Sequence, residues 1–240
     1  MSALLEAKDL RKQFGGFVAL NGVSITVGAG ERLGLIGPNG SGKSTLVNTL
    51  NGALRHDGGT ITLSGKNIGS FSTHQRVRAG MARTFQLARL FRSMTVAENL
   101  KLAADYSGPY RPNGDKAFGD ACDMLKAIGM GGKLGHDLGA LTQVEMRKLE
   151  LARAMATRPQ VLFADEALAG LSDPEVDEVV DLLLALNERG VAVVMIEHIM
   201  RAVTRFSQRL VVLVAGRKIA DGDPLAVLAD PEVERVYLGE

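Results

Sequence analysis

The chain has 240 residues, of which 46% are hydrophobic, and its 28 basic and 27 acidic side chains leave a formal net charge of +1. This length suits one large α/β domain or one domain with a small inserted lobe, and we favour the second arrangement. The balanced charge argues against nucleic acid as a ligand. The apolar stretch at residues 191–196 is far shorter than the roughly 20 residues needed to cross a bilayer, and no secretory signal pattern is visible. Cys122 is the only cysteine, which excludes an internal disulfide and fits a reducing compartment.

The opening third of the chain is predicted to be rich in β-structure. Segments at residues 4–10, 23–27 and 59–65 read as short strands bounded by turn residues. The apolar segment at residues 32–36 precedes a helical pattern that begins near residue 43.

The middle of the chain changes character. A strand is predicted at residues 81–85, and helical spacing then predominates to about residue 156. Thr95 and Glu98 form a predicted capping box, and further helices are predicted at residues 122–128 and 144–155. We interpret this segment as an inserted helical lobe.

The final third alternates strands with helices. Strands are predicted at residues 161–165, 192–196 and 209–215, with a helix at residues 173–189 that carries Pro174 in its first turn. The alternation of strands and helices implies that these strands pair parallel to one another and are buried.

The run GPNGSGKST follows the predicted strand at residues 32–36 and opens the first helix, which is the context of a phosphate-binding loop. Its residues are Gly37, Pro38, Asn39, Gly40, Ser41, Gly42, Lys43, Ser44 and Thr45. The glycines allow the backbone to curl around a polyphosphate with its N–H groups inward, and a helix N-terminus favours the anion further. The alternative is a glycine-rich turn that happens to contain Lys-Ser, and the flanking strand and helix disfavour it.

Two side chains of this loop carry chemistry. Lys43 supplies a positive charge to the β- and γ-phosphates, and the Ser44 hydroxyl is a ligand for Mg²⁺. The sequence therefore predicts a site for a nucleoside triphosphate.

Two carboxylates end the apolar strand at residues 161–165. Asp165 is predicted to hold Mg²⁺ through water, and Glu166 to orient and polarise the attacking water as a general base. The alternative is a strand end capped by solvated acids, and the phosphate-binding loop favours the functional interpretation.

Polar side chains also end two other predicted strands. His198 follows the strand at residues 192–196, and Gln86 ends the strand that leads into the helical lobe. Ligands gather at the carboxyl ends of adjacent parallel strands, so we expect both side chains near Glu166 and the loop at Gly37. A glutamine there can contact Mg²⁺ and respond to rotation of the lobe. The alternative for His198 is a packing or surface residue.

These motifs, in this order, resemble the nucleotide-binding ATPase subunit of ABC transporters over essentially the whole chain. The resemblance implies an α/β fold of the P-loop NTPase type, with a RecA-like core, an N-terminal antiparallel β subdomain and an inserted helical subdomain. Residues 1–240 would form a single ABC ATPase domain, with the core and β subdomain in residues 1–86 and 157–240 and the helical subdomain in residues 87–156. ATP hydrolysis coupled to transport, with ATP and Mg²⁺, is the implied activity.

The resemblance also implies roles for individual residues. Phe14 matches the aromatic residue that stacks on adenine, with a core position as the alternative. Gln86 matches the Q-loop, Asp165 the Walker B strand, and His198 the switch histidine. The implied catalytic residues are Glu166, His198, Lys43 and Gln86, and the implied metal ligands are Ser44, Gln86 and Asp165.

The sequence departs from this family at the signature motif. In the family, two chains associate head to tail, and ATP lies between the phosphate-binding loop of one chain and the signature motif of the other. The pattern LSGGQ corresponds to Leu141, Thr142, Gln143, Val144 and Glu145. Thr142, Val144 and Glu145 would contact the nucleotide of the partner chain, and Val144 would add bulk where a glycine backbone usually approaches the γ-phosphate. Glu145 would place an anion near another anion. The site that this chain completes is therefore expected to be weak, and Val144→Gly is expected to speed hydrolysis there.

Residues 82–100 and 222–240 are similar to ATPases of branched-chain amino acid importers, although lipopolysaccharide-export ATPases share the terminal RVYLGE. The resemblance implies membrane-spanning permease subunits as partners, a homodimer or a heterodimer with a sister ABC ATPase, and an indirect link to a substrate-binding protein. It implies a peripheral position on the cytoplasmic face of the inner (plasma) membrane.

An apolar groove for a helix of the membrane subunit is predicted at Leu87, Leu90, Phe91 and Met94, with core packing of the lobe as the alternative. Two other functions stay open. The chain could be a soluble ABC-type switch protein without a membrane partner, or a nucleotide-binding subunit with little hydrolysis of its own.

Overall fold

The computed structural model describes residues 3–84, 90–106 and 114–238, within which there are ten strands and nine α-helices. The strands are β1 (Leu5–Phe14), β2 (Phe17–Val27), β3 (Arg32–Ile36), β4 (Gly58–Leu63), β5 (Lys66–Asn67), β6 (Met81–Arg83), β7 (Val161–Asp165), β8 (Ala192–Ile196), β9 (Arg209–Val214) and β10 (Arg217–Gly222). The helices are α1 (Lys43–Leu50), α2 (Thr73–Arg78), α3 (Val96–Tyr106), α4 (Gly114–Ala127), α5 (Gln143–Met155), α6 (Asp173–Glu188), α7 (Met200–Phe206), α8 (Pro224–Leu228) and α9 (Pro231–Leu238).

The strands form two sheets. The first is antiparallel, with the order β2-β1-β4-β5. The second has the order β10-β9-β3-β8-β7-β6, in which β10 pairs antiparallel with β9 and the other neighbours pair parallel. Every residue of β7 and β8 is buried, as parallel strands covered on both faces require. Because β3, β8 and β7 are neighbours, their carboxyl ends meet at one edge of the sheet.

Two hydrophobic clusters cover the two faces of the parallel sheet. Val161 and Phe163 of β7 belong to one cluster, whereas Leu162 belongs to the other, because successive side chains of a strand point to opposite faces. The cluster of Phe163 also contains Leu46 and Val47 of α1 together with side chains of the antiparallel sheet. Helix α1 therefore packs with both sheets and stands directly after β3.

The region predicted as a helical lobe contains α3, α4 and α5. Leu100, Leu125 and Leu149 are fully buried where these helices meet. The capping box predicted at Thr95 is present, since Thr95 N–H donates to Glu98 Oε2 at 2.7 Å. Cys122 of α4 is buried as well, and burial raises the pKa of its thiol.

The α/β fold of the P-loop type is confirmed, and the differences from the predicted elements lie at their ends. The first two predicted strands are parts of a longer hairpin, in which β1 and β2 are joined by a turn with Gly15 at φ 56°. The elements β5, α2, α7 and β10 were missed because they are only 2 to 7 residues long and, unlike β7 and β8, none of them is a largely apolar run. Residues 85–89 lie outside the described ranges, so the boundaries of the helical subdomain stay predictions. No helix within the described ranges combines the length and the apolar character that a membrane span requires.

Candidate nucleotide-binding and catalytic site

The loop between β3 and α1 depends on glycine at two close contacts. A Cβ atom on Gly37 would lie 2.2 Å from the Leu213 carbonyl oxygen, and one on Gly42 would lie 2.6 Å from the Ala19 carbonyl oxygen. Gly42 also has φ 103°, a conformation that side chains oppose. The neighbouring strands therefore allow this loop to keep its curl only with glycines at both positions.

Lys43 is held over this loop. Its Nζ donates to the Gly37 carbonyl oxygen at 2.6 Å and to the Pro38 carbonyl oxygen at 3.0 Å. Burial lowers the pKa of Lys43, while the carboxylates of Glu166 and Asp165 oppose that shift. The structure thus brings the loop cation and the two strand-end acids into one electrostatic site.

Ser44 lies in the first turn of α1 with an exposed side chain, one residue after Lys43. The residue that precedes the helix, Gly42, offers no side-chain cap to the first N–H groups. These donors and the adjacent lysine fit a bound phosphate.

Asp165 ends β7 and is 8% exposed. Arg83 NH2 donates to Asp165 Oδ2 at 2.5 Å, and Arg83 NH1 donates to Asn48 Oδ1 at 2.5 Å. The Asp165 N–H donates to Thr84 Oγ1 at 3.2 Å. Arg83 and Thr84 were missed from the sequence because they lie inside the strand predicted at residues 81–85, whereas the observed β6 ends at Arg83.

The described residues contain no group of three or more His, Cys, Asp and Glu side chains that could hold a metal alone. Mg²⁺ bound with substrate phosphates needs only one or two protein ligands, so a hydroxyl at Ser44 and a carboxylate at Asp165 fit that ion.

Glu166 follows Asp165 in a left-handed backbone conformation, with φ 47°. Its N–H donates to the Ile196 carbonyl oxygen at 2.9 Å, which ties it to the end of β8. Its side chain is half-buried. A non-glycine residue held in this conformation next to Asp165 is a common feature of functional sites, where surrounding structure maintains the strain.

His198 lies just beyond β8 and its side chain is 70% exposed. Its Nδ1 is 3.9 Å from Oε2 of Glu197, whose side chain is completely buried. Glu197 was not singled out from the sequence, although an acid that directly follows five buried residues is an unusual pattern. Burial raises the pKa of Glu197 to about 7, with the backbone N–H groups of Leu168 and His198 opposing the shift and the charges of Glu166 and Asp165 reinforcing it.

Phe14 occupies the end of β1, where it pairs with Phe17 across the hairpin turn. Its side chain is 46% exposed, so it is not a core residue. The Lys12 Nζ lies 5.3 Å from the centre of its ring. Strand β2 runs from this turn through Ala19, whose carbonyl oxygen limits the space at Gly42, so the hairpin that carries Phe14 contacts the phosphate-binding loop.

The modified signature forms the start of α5 in the helical lobe. Thr142 is the N-cap residue, and its Oγ1 accepts from the Glu145 N–H at 3.3 Å while the Glu145 side chain accepts from the Thr142 N–H at 2.9 Å. Lys133 Nζ donates to Glu145 Oε1 at 2.5 Å, and this bond together with the cap lowers the pKa of Glu145. The negative charge expected at this position is therefore matched by a lysine.

Val144 is expected from the sequence to add bulk beside the nucleotide of a partner chain. It lies in the first turn of α5, and its side chain is only 9% exposed and packs in the core of the lobe. Gln143 instead extends outward, and its Nε2 donates to the Ala169 carbonyl oxygen at 3.3 Å. The signature segment is thereby linked to the loop that follows Glu166 in the same chain.

The structure brings together the phosphate-binding loop, Asp165, Glu166 and His198, and it places the signature residues apart from them, at the start of α5. Gln86 and Leu87 lie outside the described residues. Of the other groove residues, Leu90 packs partly against the core and Phe91 is 48% exposed, with the Arg153 guanidinium 5.9 Å from its ring. A surface groove beside them is lined by Leu90, Arg92, Leu138, Gly139, Leu141 and Met146.

A glycine loop between a parallel strand and a helix, with two acids on a nearby parallel strand end, defines a P-loop nucleotide-binding protein. The sequence profile of the family described as ABC transporter matches residues 20–169, more than half of the chain. The chain belongs to the ABC transporter family, and it is an ABC ATPase that binds nucleotide.

Relatives and solved structures agree with this assignment over the full length. BraF of Pseudomonas aeruginosa, a high-affinity branched-chain amino acid transport ATP-binding protein, is 37% identical, with 99% of this chain and 98% of BraF covered. LivG of Escherichia coli K12, described in the same words, is also 37% identical with the same coverage. The lipopolysaccharide export ATP-binding protein LptB of Haemophilus influenzae is 33% identical, with 99% and 98% covered. A crystal structure of the ADP conformation of an ATP-binding cassette of an ABC transporter superposes with a TM-score of 0.90 at 31% identity, and each chain is covered completely.

Proposed function

We propose that this chain is the ATP-hydrolysing subunit of an ABC importer for branched-chain or related amino acids, with Mg²⁺ as its metal. The observation that carries the proposal is the electrostatic interaction of Lys43, at the start of the helix after β3, with Asp165 and Glu166 at the end of β7, in the same parallel sheet. The full-length similarity to BraF and LivG supports the transported class.

The proposed mechanism assigns each part of the site one task. The loop at Gly37 and the first turn of α1 bind the phosphates through backbone N–H groups, and Lys43 turns from the loop carbonyl oxygens to the β- and γ-phosphates. Phe14 stacks on the adenine. Ser44 and Asp165, with Gln86 as a further contact, would hold Mg²⁺, which would supply positive charge at the phosphates.

The chemical step then depends on Glu166 and His198. Glu166 accepts a hydrogen bond from the attacking water and orients it in line with the γ-phosphorus. His198, whose exposed ring lies beside Glu197 at the end of β8, stabilises the charge that develops on the γ-phosphate.

A second copy or a sister ATPase completes the nucleotide site with Thr142, Val144 and Glu145 of its signature segment. Since Val144 is buried, the groups offered to a partner's nucleotide are the Thr142 cap, backbone N–H groups of α5, and Glu145 with its lysine. Two chains would therefore close head to tail around ATP and reopen after hydrolysis.

The helical lobe is proposed as the contact with membrane-spanning permease subunits. The groove that includes Leu90, with Phe91 and Met94 nearby, is the proposed receptor for a helix of those subunits. This assembly would hold the chain peripherally at the cytoplasmic face of the inner membrane, with a substrate-binding protein coupled only indirectly.

Glu166→Gln tests the enzymatic part of the proposal. The amide keeps the size of the side chain but cannot act as the base, so hydrolysis should fall by roughly 10² to 10⁴-fold while ATP binding persists. A rate equal to the parent rate would exclude Glu166 as the base. Glu188→Gln, an exposed carboxylate at the end of α6, is the matched control and should leave the rate unchanged.

Affinity purification from gently solubilised membranes tests the transport part. Recovery of permease subunits with an amino-acid-binding protein would support the proposal. Recovery of lipopolysaccharide-export components would instead favour an export ATPase, the second candidate function, which the similarity to LptB keeps open. Recovery only as a soluble protein with ribosomes or DNA would instead support a switch protein.

A further inference from the structure

Glu197 is a buried acid beside the site to which the proposed mechanism gives no task. It follows β8 directly, and its side chain is completely buried. Its Oε1 accepts from the Leu168 N–H at 2.8 Å, in the loop that begins at Glu166. One oxygen of this carboxyl group therefore fixes the segment after the proposed base.

The other oxygen has no equivalent partner. Within the described ranges, no group meets Glu197 Oε2 in hydrogen-bond geometry, although the backbone N–H of His198 lies close enough to the carboxyl group to lower its pKa. A buried carboxyl oxygen without a partner is costly, and such an atom in a native fold calls for a functional or conformational explanation. The nearest basic side-chain atom is Nδ1 of His198, at 3.9 Å.

The two side chains differ in their freedom to move. Glu197 is fixed by burial and by the Leu168 N–H, whereas the His198 ring is 70% exposed. A shift of about 1 Å in the ring would bring Nδ1 into hydrogen-bond distance of Oε2. Glu197 Oε2 is therefore a hydrogen-bonding group at a fixed position, which the exposed His198 ring can reach by a small movement.

We propose, building on the function proposed above, that Glu197 is a positioning residue that orients His198 through an Oε2 to Nδ1 hydrogen bond when the ring turns toward the γ-phosphate. The same carboxyl group holds Leu168, so it joins the histidine to the loop after Glu166. Movement of the His198 ring would then be coupled to the position of the loop after Glu166.

This pairing directs the proton on the far side of the ring. When the pair carries two protons, one lies between Oε2 and Nδ1, whether it is formally on the acid or on the imidazole. The second proton is then on Nε2, which can donate it as a hydrogen bond to a phosphate oxygen. A hydrogen bond to one ring nitrogen sets the role of the other in this way wherever histidine acts in a site.

Glu197→Leu and Glu197→Gln in the full-length chain separate this role from a structural one. Leucine removes both hydrogen bonds, and ATP turnover should fall about 10- to 100-fold, the range found when a group that orients an active residue is lost, with ATP affinity unchanged. Glutamine can accept from the Leu168 N–H with its oxygen and donate to Nδ1 with its amide, which again leaves the proton on Nε2. It should therefore restore most of the turnover.

The double variant with His198→Ala is the decisive arm. If Glu197 acts through the histidine, Glu197→Leu should have little further effect once His198 is alanine. An equal loss in both backgrounds would overturn the inference and leave Glu197 as a support for the loop alone. If the parent chain hydrolyses no ATP in the assembled transporter, the proposed function fails instead.

Imidazole nitrogen NMR provides a readout that does not depend on turnover. With ATP and Mg²⁺ bound to the Glu166→Gln chain, the Nδ1 signal of His198 should move to the hydrogen-bonded range, and Glu197→Leu should abolish that movement. No movement in the chain that retains Glu197 would contradict the inference. Glu31→Gln is the matched control, because Glu31 Oε2 likewise accepts a backbone N–H, from Gly28 at 2.5 Å, but at the opposite end of β3.

Discussion

Helices α1 and α5 both begin at segments that we propose to bind phosphate, yet their first turns are built differently. Helix α1 follows Gly42, which has no side chain and leaves the first N–H groups without a side-chain cap. Helix α5 follows Thr142, which forms a reciprocal cap with Glu145. Helix α1 leaves the backbone N–H groups of its first turn available to a ligand, whereas in α5 the Glu145 N–H is already bonded to the Thr142 side chain.

Charge follows the same division. Lys43 faces two carboxylates across the nucleotide site, while Lys133 is bonded to the acid of the signature segment. The departure from the family's glycine-rich signature is thus accompanied by a local structure that accommodates it. A changed motif can therefore keep its local fold.

Gly42→Ala should give the largest effect on the α1 side of this comparison. The new methyl group would meet the Ala19 carbonyl oxygen at 2.6 Å, and φ 103° is strained for alanine by about 1–3 kcal/mol before the clash is counted. We expect loss of nucleotide binding and a lower melting temperature. Gly30→Ala is the control, because Gly30 has φ 66° with no atom near its missing methyl group, so only the strain is added.

Glu197→Gln should change how the unfolding free energy depends on pH. The folded state holds a proton on Glu197 up to a pKa of about 7, whereas the unfolded chain loses it near 4.5, so the parent protein loses stability as pH rises between those values. The amide does not titrate. Its advantage in unfolding free energy should therefore grow from pH 4.5 to pH 7 and then level off, and a constant difference between the two proteins would show that the acid is not buried as described.

Val144→Gly tests the α5 side. Removing a buried β-branched side chain and placing glycine in a helix should lower the unfolding free energy by about 1–3 kcal/mol, by analogy with other large-to-small core changes. We expect no gain in ATP turnover, in contrast to the expectation from sequence. Faster hydrolysis in a chain of unchanged stability would show that Val144 does limit the signature.

Thr142→Ala should cost about 1 kcal/mol, the usual value of an N-cap, and it should reduce turnover only if the cap also serves a nucleotide on a partner chain. Ser172→Ala is a close control, because Ser172 caps α6 with Glu175 in the same reciprocal manner. Chemical denaturation of both variants gives the stability cost, and ATP turnover separates the two caps.

Glu145→Gln should have the smallest effect. The amide can keep the hydrogen bond to the Thr142 N–H, and Lys133 already matches the charge, in a pair that is partly exposed. Exposed ion pairs contribute about 0.2–1 kcal/mol, so turnover should stay within roughly fivefold of the parent. A much larger increase in turnover would mean that the acid opposes the nucleotide despite its lysine.

The sequence predicted parallel pairing of the later strands because buried apolar runs alternated with helical periods. It predicted the positions of Asp165 and His198 for the same reason, since both stand where an apolar run ends. It could not predict the direction in which Val144 points, because a helix end exposes or buries a side chain according to neighbours that are distant in the chain. The tie between Glu197 and Leu168 was likewise hidden, since it joins the ends of two strand-to-helix connections.

Cys122 gives this chain a practical property for labelling chemistry. Its thiol is buried in α4, and its raised pKa keeps the reactive thiolate scarce at neutral pH. A single cysteine introduced at an exposed position, such as Gln143, would react with a maleimide dye much faster than the native thiol. Fluorophores could then report the approach of two chains by energy transfer without any change to the native core.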